Sequence, residues 1–139
     1  MRYLIDANIL IFSLEKDRSR LTRVVEDILG DYSNKIYISA ESVREIIHLR
    51  QCGKFSSKKQ MFTGSIIDFI NKETTFEIKP IKSEHLKTLE QIPILLDHKD
   101  PSDRMIIAQA ITEKIVLVSS DKKFPYYKKF GLDLIPNNY

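Results

Sequence analysis

Asp6, Asp103 and Asp121 are carboxylates placed where they could do chemistry. Three short apolar runs that read as buried strands end abruptly at polar residues: Tyr3-Leu4-Ile5 at Asp6, Ile36-Tyr37-Ile38 at Ser39, and Ile115-Val116-Leu117-Val118 at Ser119-Ser120-Asp121. In an open α/β sheet, ligands bind beyond the carboxyl ends of the strands, where strand order reverses. Asp6 and Asp121 stand at such ends. Periodicity places Asp103, because Ile106, Ile107, Ala110 and Ile111 follow it at helical spacing and its carboxylate shares their apolar face. A carboxylate there needs a positive partner. Arg104 points elsewhere on the helix, which leaves a bound cation or a basic residue of another protein. Carboxylates gathered in one crevice repel one another unless a divalent metal sits among them. All-oxygen ligands select Mg²⁺ or Mn²⁺ over Zn²⁺, and such sites serve phosphodiester hydrolysis.

Each acid also has a structural reading. Asp100-Pro101-Ser102-Asp103 has an acid at the N-cap, proline at the first helical position and an acid at the third, so it fits a capping box and complements the helix dipole. Glu45 completes Ser42-Val43-Arg44-Glu45 in the same way, or is a solvated helix acid. Asp6 and Asp121 fit turns or caps. Asn8 fits a helix cap, its functional counterpart being a hydrogen bond to Asp6 or to a metal-bound water. Joint placement at one sheet edge favours function over four unrelated caps. His48, His85 and His98 lack ligand-like spacing and read as surface or packing residues, with only His98 near the acids; Cys52 has no nucleophile partner in view.

The elements that must hold these residues alternate. A helix is expected over Ser19 to Leu29, with Gly30 as a left-handed cap, and another from Ser39 through Ile47, ended by Gly53. Ile66 to Ile70 marks a third helix, and Thr74 to Lys79 a strand bounded by Pro80. Ser83 is expected to cap a helix bearing Leu86 and Leu89, and the helix from Asp100 runs through Ile111. The class is α/β with a mainly parallel sheet. A length of 139 residues, 42% hydrophobic and 29% charged, implies one globular domain over residues 1–139. One cysteine excludes an internal disulfide and a cysteine-rich zinc site, and four scattered glycines exclude a phosphate-binding loop. The apolar N-terminal run is too short for a signal peptide or a membrane span, so a cytoplasmic location is the default expectation.

Charge adds a second surface. The net charge of +3 says little, but two segments are basic and free of acids. Lys122-Lys123-Phe124-Pro125-Tyr126-Tyr127-Lys128-Lys129-Phe130 interleaves lysines with aromatics, and Arg50 to Phe62 holds Arg50, Lys54, Lys58 and Lys59. Lysine contacts to phosphate with aromatic stacking on bases would suit RNA. A solvated face with its aromatics in the core is the alternative.

Taken together, the motifs resemble those of PIN-domain ribonucleases, and among them the small VapC-like toxins of toxin–antitoxin pairs. The matching pieces are Leu4-Ile5-Asp6-Ala7-Asn8-Ile9-Leu10, Ile38-Ser39-Ala40 with Val43-Arg44-Glu45-Ile46, His98-Lys99-Asp100-Pro101-Ser102-Asp103-Arg104-Met105-Ile106-Ile107-Ala108-Gln109-Ala110, and Val116-Leu117-Val118-Ser119-Ser120-Asp121. The resemblance implies a three-layer sandwich with a parallel sheet of about five strands. It also implies a Mg²⁺ or Mn²⁺ site of Asp6, Glu45, Asp103 and Asp121, with Glu45 resting most on it. Asp100 would be a cap or an outer-shell acid, and Ser119 and Ser120 stand where the family often has threonine. A homodimer and an antitoxin partner are implied as well. The resulting expectation is a Mg²⁺-dependent endoribonuclease. The alternatives are a non-catalytic RNA-binding or antitoxin-regulated module and, through Asp6 as nucleophile, a haloacid-dehalogenase-like phosphatase. The last generally wants an aspartate where Asn8 stands.

Overall fold

The computed structural model describes residues 1–15, 18–53, 64–95 and 97–139. Five strands, β1 (Arg2–Ile5), β2 (Lys35–Ser39), β3 (Glu77–Lys79), β4 (Val116–Ser119) and β5 (Leu134–Pro136), form one sheet in the order β3-β2-β1-β4-β5. Every pairing is parallel, with Ile5 beside Ile38 on one side and beside Val118 on the other. The chain builds outward from β1 to β3, then crosses back to place β4 on the free side of β1. Strand order therefore reverses between β1 and β4, which opens a crevice at their carboxyl ends.

The helices are α1 (Ala7–Leu14), α2 (Arg23–Gly30), α3 (Ala40–Gln51), α4 (Ile66–Glu73), α5 (Ser83–Gln91) and α6 (Pro101–Glu113), with a 3-10 helix over Phe124–Phe130. Alternating strand residues feed two cores. Tyr3, Ile5, Ile38 and Val118 pack with apolar residues of α1 to α4, while Leu4 and Leu117 pack with α6, Phe124 and Tyr127. The result is the expected three-layer α/β sandwich. Among the described residues no helix is long and apolar enough to cross a membrane.

Several helix ends differ from expectation for local reasons. Gly30 is the last residue of α2 and has no positive φ. Asp31 turns the chain instead, its carboxylate accepting from the Ser33 amide and hydroxyl at 2.9 and 2.7 Å. Helix α5 starts at Ser83 with Lys82 at the cap position, and the His85 ring closes that end by accepting from the Lys82 amide at 2.9 Å. Ser39 caps α3 as expected, accepting from the Glu41 amide at 3.1 Å, so Ser42 and Glu45 lie one turn in and form no capping box. Asp6, not Asn8, caps α1; Asn8 is an exposed residue of the first turn. The strand β5 and the 3-10 helix carry no comparable pattern, the first being three residues long and ending in proline.

Candidate metal centre

Asp6 leaves β1 directly into α1, and its carboxylate accepts from the Ile9 amide at 2.9 Å. The capping role and the crevice position thus fall on one residue. Ser119, buried at the end of β4, hydrogen-bonds the Asp6 carboxylate and accepts from the Asp121 amide at 3.0 Å. One hydroxyl thereby ties the two strand ends together. Asp121 Oδ1 accepts from the Lys123 amide at 2.8 Å, which fixes the turn after β4. On α6, Asp100 caps the helix by accepting from the Asp103 amide at 3.1 Å. The Asp103 side chain does not reciprocate as a capping box would, and instead lies in the crevice with its Oδ2 at 3.0 Å from His98 Nε2.

Glu45 faces the same group from α3, across the sheet from α6. Its neighbour Arg44 donates to Glu41 Oε1 at 2.7 and 3.0 Å, and the Ser102 hydroxyl donates to the same oxygen at 2.8 Å. That network joins α3 to α6 beside the two acids.

The direction of each carboxyl's shift is consistent with this convergence. Burial raises the Asp6 carboxyl from its ordinary 3.8 to about 6; the Ser119 and Ile9 hydrogen bonds oppose the rise, and Asp103 and Asp121 add to it. Glu45 is raised by burial and then by the charges of Asp103, Asp100 and Asp6. Asp103 is raised by burial, which the His98 hydrogen bond opposes and the Asp100 and Asp121 charges reinforce. Four elements thus bring their acids within electrical reach of one another. Among the described residues no lysine or arginine forms an ion pair with Asp6, Glu45, Asp103 or Asp121.

Within this group His98, Asp103 and Asp121 could each offer a ligand atom, all within 4.8 Å of one another. Carboxylate oxygens dominate the whole group, and only His98 beside Asp103 and the more distant Arg44 beside Glu45 offset their charge, so the residues present fit a divalent cation of the Mg²⁺ or Mn²⁺ kind. His98 corrects the sequence reading on two points. It is buried at the site rather than merely packed, and its ring nitrogen bonds one of the carboxylates, a contact the sequence reading did not expect. Only its nearness to Asp100 hinted at this, since nothing in a five-residue separation forces the ring onto Asp103.

Other expectations separate in the structure. Ser120 turns away from the acids, its hydroxyl accepting from Asn137 Nδ2 at 2.7 Å. No hydrogen bond joins Asn8 to Asp6 among the described residues. Arg104 does point away from Asp103, donating to the Ile92 carbonyl at 2.6 Å. In the basic aromatic segment Phe124 and Tyr127 are core residues, leaving Tyr126 with Lys122, Lys123, Lys128 and Lys129 on the surface. Lys128, Lys129 and Tyr126 border an open cavity of about 570 Å³ with Leu95, Asp97 and Pro125. Of the second basic segment, Lys54, Lys58 and Lys59 lie outside the described residues. Cys52 does have a neighbour, the exposed sulfur lying 3.7 Å from His48 Nε2 one turn back on α3.

An all-parallel five-stranded sheet with a cluster of acids at its switch point, none ion-paired to lysine or arginine among the described residues, defines a class of α/β protein built around an anionic crevice. Residues 3–129 match the PIN domain family, and the chain belongs to it. Comparison with curated protein sequences gives no match. Among solved structures the chain is similar to VapBC2 from Rickettsia felis bound to a DNA fragment from their promoter, at 20% identity and a TM-score of 0.71 over 98% of each chain. It is also similar to DNA-bound VapBC from Salmonella typhimurium, with 16% identity and a TM-score of 0.66 over 98% of each chain. A toxin–antitoxin complex from Klebsiella pneumoniae gives 17% identity and a TM-score of 0.60 over 97% of each chain.

Proposed function

We propose that this chain is a Mg²⁺- or Mn²⁺-dependent endoribonuclease of one catalytic domain, and the toxin of a toxin–antitoxin pair. The observation that carries the reading is the meeting of Asp6, Glu45, Asp103 and Asp121 at one sheet edge with no lysine or arginine ion-paired to them among the described residues. These four acids would hold the cation. When bound, the cation supplies Lewis-acid activation of water and charge stabilisation at an RNA phosphodiester, leaving a 5′-phosphate.

The chain's own residues set up that chemistry. Ser119 holds the Asp6 carboxylate against the Asp121 backbone, so the two strand-end acids keep a fixed separation. Asp100 fixes the start of α6 and thereby the height of Asp103 above the sheet. Lys122, Lys123, Lys128 and Lys129, exposed in the segment that follows Asp121, would offer a basic surface to the RNA backbone. The similarity to VapBC structures supports an antitoxin partner, and the same family reading carries homodimerisation and a cytoplasmic setting.

RNA cleavage by the purified chain with Mg²⁺ tests the reading. Asp6→Asn and Asp103→Asn should each lower the rate by about a hundredfold or more. Equal cleavage by wild type and both variants overturns it.

A further inference from the structure

The Asp103 carboxylate is gripped from outside the set of acids. His98 Nε2 lies 3.0 Å from Asp103 Oδ2 and 4.0 Å from Asp121 Oδ2, while its Nδ1 lies 2.7 Å from the Tyr127 hydroxyl. The His98 ring is 5% exposed and Tyr127 is fully buried, so the bond between them is shielded from water, while Asp103 at the other end is half-buried. No described residue donates a hydrogen bond to Asp103 Oδ1, so the grip takes one oxygen and leaves the other.

The polarity of the chain of bonds is set at its carboxylate end, where an ionised Asp103 can only accept and the facing Nε2 therefore carries a proton. The Tyr127 hydroxyl has one hydrogen and two acceptors in reach, His98 Nδ1 at 2.7 Å and the His98 carbonyl at 3.5 Å. The shorter bond is the well-made one. With the hydroxyl donating to Nδ1, the ring proton sits on Nε2 and points at Asp103 Oδ2. The opposite tautomer would set the Nε2 lone pair against that of the ionised carboxylate, an arrangement that needs a cation between them or a proton on Asp103.

The mount is as firm as the grip. His98 N donates to the Leu95 carbonyl at 3.1 Å, Lys123 Nζ donates to the Asp97 carbonyl, and the His98 ring packs against Phe124 at 5.8 Å and Tyr127 at 5.4 Å. The buried aromatics of the basic segment therefore serve the acidic site by holding its histidine.

We propose that His98 is a positioning residue for Asp103: its Nε2–H holds Oδ2, Tyr127 holds the ring, and Oδ1 is thereby preset to meet the cation. This rests on the reading of Asp103 as a metal ligand. Outer partners of this kind commonly fix a ligand's orientation and contribute tenfold to a hundredfold in metal affinity.

The test is Mn²⁺ binding to the purified full chain, by calorimetry, with thermal unfolding of each metal-free variant as the check on folding. His98→Leu keeps an apolar side chain of moderate size and removes the donor, and should weaken Mn²⁺ binding by about tenfold to a hundredfold. His98→Gln restores an N–H near the Nε2 position and should stay within about threefold of wild type, with Tyr127→Phe between the two. Pulsed electron paramagnetic resonance of the Mn²⁺-loaded wild type should show no nitrogen hyperfine coupling. Equal affinity of folded His98→Leu and wild type overturns the proposal, and so does a nitrogen coupling, which would make His98 a direct ligand. A wild type that binds no Mn²⁺ overturns the metal-nuclease reading itself and the proposal with it. Binding that is abolished in Asp103→Asn yet unchanged in His98→Leu overturns the positioning role alone.

Discussion

Helix α6 carries a histidine-bonded carboxylate near each end, and the two ends are built to opposite effect. At the C-terminal end, Glu113 Oε2 lies 2.9 Å from His85 Nε2 and Glu113 Oε1 lies 3.0 Å from Lys79 Nζ. At the N-terminal end, Asp103 has His98 at 3.0 Å, no lysine or arginine among its described ion pairs, and the charges of Asp100 and Asp121 working against it. Both ends could offer three ligand atoms within 4.8 Å, with Glu84, His85 and Glu113 as the second set. Charge balance separates them. The His85 hydrogen bond and Lys79 hold the Glu113 carboxyl below its ordinary range, whereas burial and neighbouring acids hold Asp103 above it. A carboxylate at a helix C-terminus also meets the unfavourable end of the dipole, which gives Lys79 a structural task. A histidine–carboxylate group alone is thus no sign of a metal centre. Uncompensated negative charge is the better sign.

The largest test of that contrast is the response of stability to pH. Asp6, raised from 3.8 to about 6, destabilises the metal-free fold once ionised; at 1.36 kcal/mol per pKa unit the cost is about 3 kcal/mol. The sign is set by the folded value exceeding the unfolded one. Stability should fall as pH rises from about 4 to about 6 and remain reduced above that range. Asp6→Asn keeps a good N-cap and removes the charge, so chemical denaturation in a chelator at pH 7 should show a gain approaching about 3 kcal/mol and a flattened pH dependence. No gain would mean that the acids at this edge are compensated after all. Glu113, with its folded value lowered, should behave in the opposite sense: its contribution is present above about 4.5 and is lost as pH falls through the lowered value.

Nearly as large is the expected effect of Mg²⁺. At a hundredfold excess over its dissociation constant it should stabilise the wild type by about 2.7 kcal/mol, read as a rise in Tm. Asp103→Asn should abolish the rise and Glu113→Gln should retain it; a rise kept in the first and absent in the second would move the metal to the other end of α6. Glu113→Gln should itself cost about 2 kcal/mol of stability, because it strips charge from the bonds to Lys79 and His85, while RNA cleavage stays at the wild-type rate. The smallest effect is expected from Lys128→Ala with Lys129→Ala. RNA affinity should drop severalfold, and the salt dependence of log Kd should shallow by about one unit for each phosphate that is no longer neutralised. An unchanged salt slope would remove these lysines from the RNA path.

Much of the molecule was legible in the sequence where local physics dominates. The apolar runs of β1, β2 and β4 and the capped start of α6 fall where periodicity put them, because buried strands and helix ends are set by neighbouring residues. The roles of single polar residues were less legible. Asp6 fits both a cap and a crevice, and the structure uses it for both. Ser119 and Ser120 are adjacent and alike, yet strand alternation turns one hydroxyl to Asp6 and the other to Asn137. Phe124 and Tyr127 match a stacking surface in composition, and burial assigns them to the core.

By itself the sequence determined an α/β chain with carboxylates at the ends of two apolar strands and on the inner face of one helix. Those features are written in periodicity and in residue type. Tertiary structure decided that β1 and β4 are neighbours, that Glu45 reaches the same crevice from α3, and that His98 grips Asp103 while His85 serves Glu113. Each of these depends on distances between residues far apart in the chain or joined by a loop, and on the balance of charge around them. Spacing along one segment carries neither.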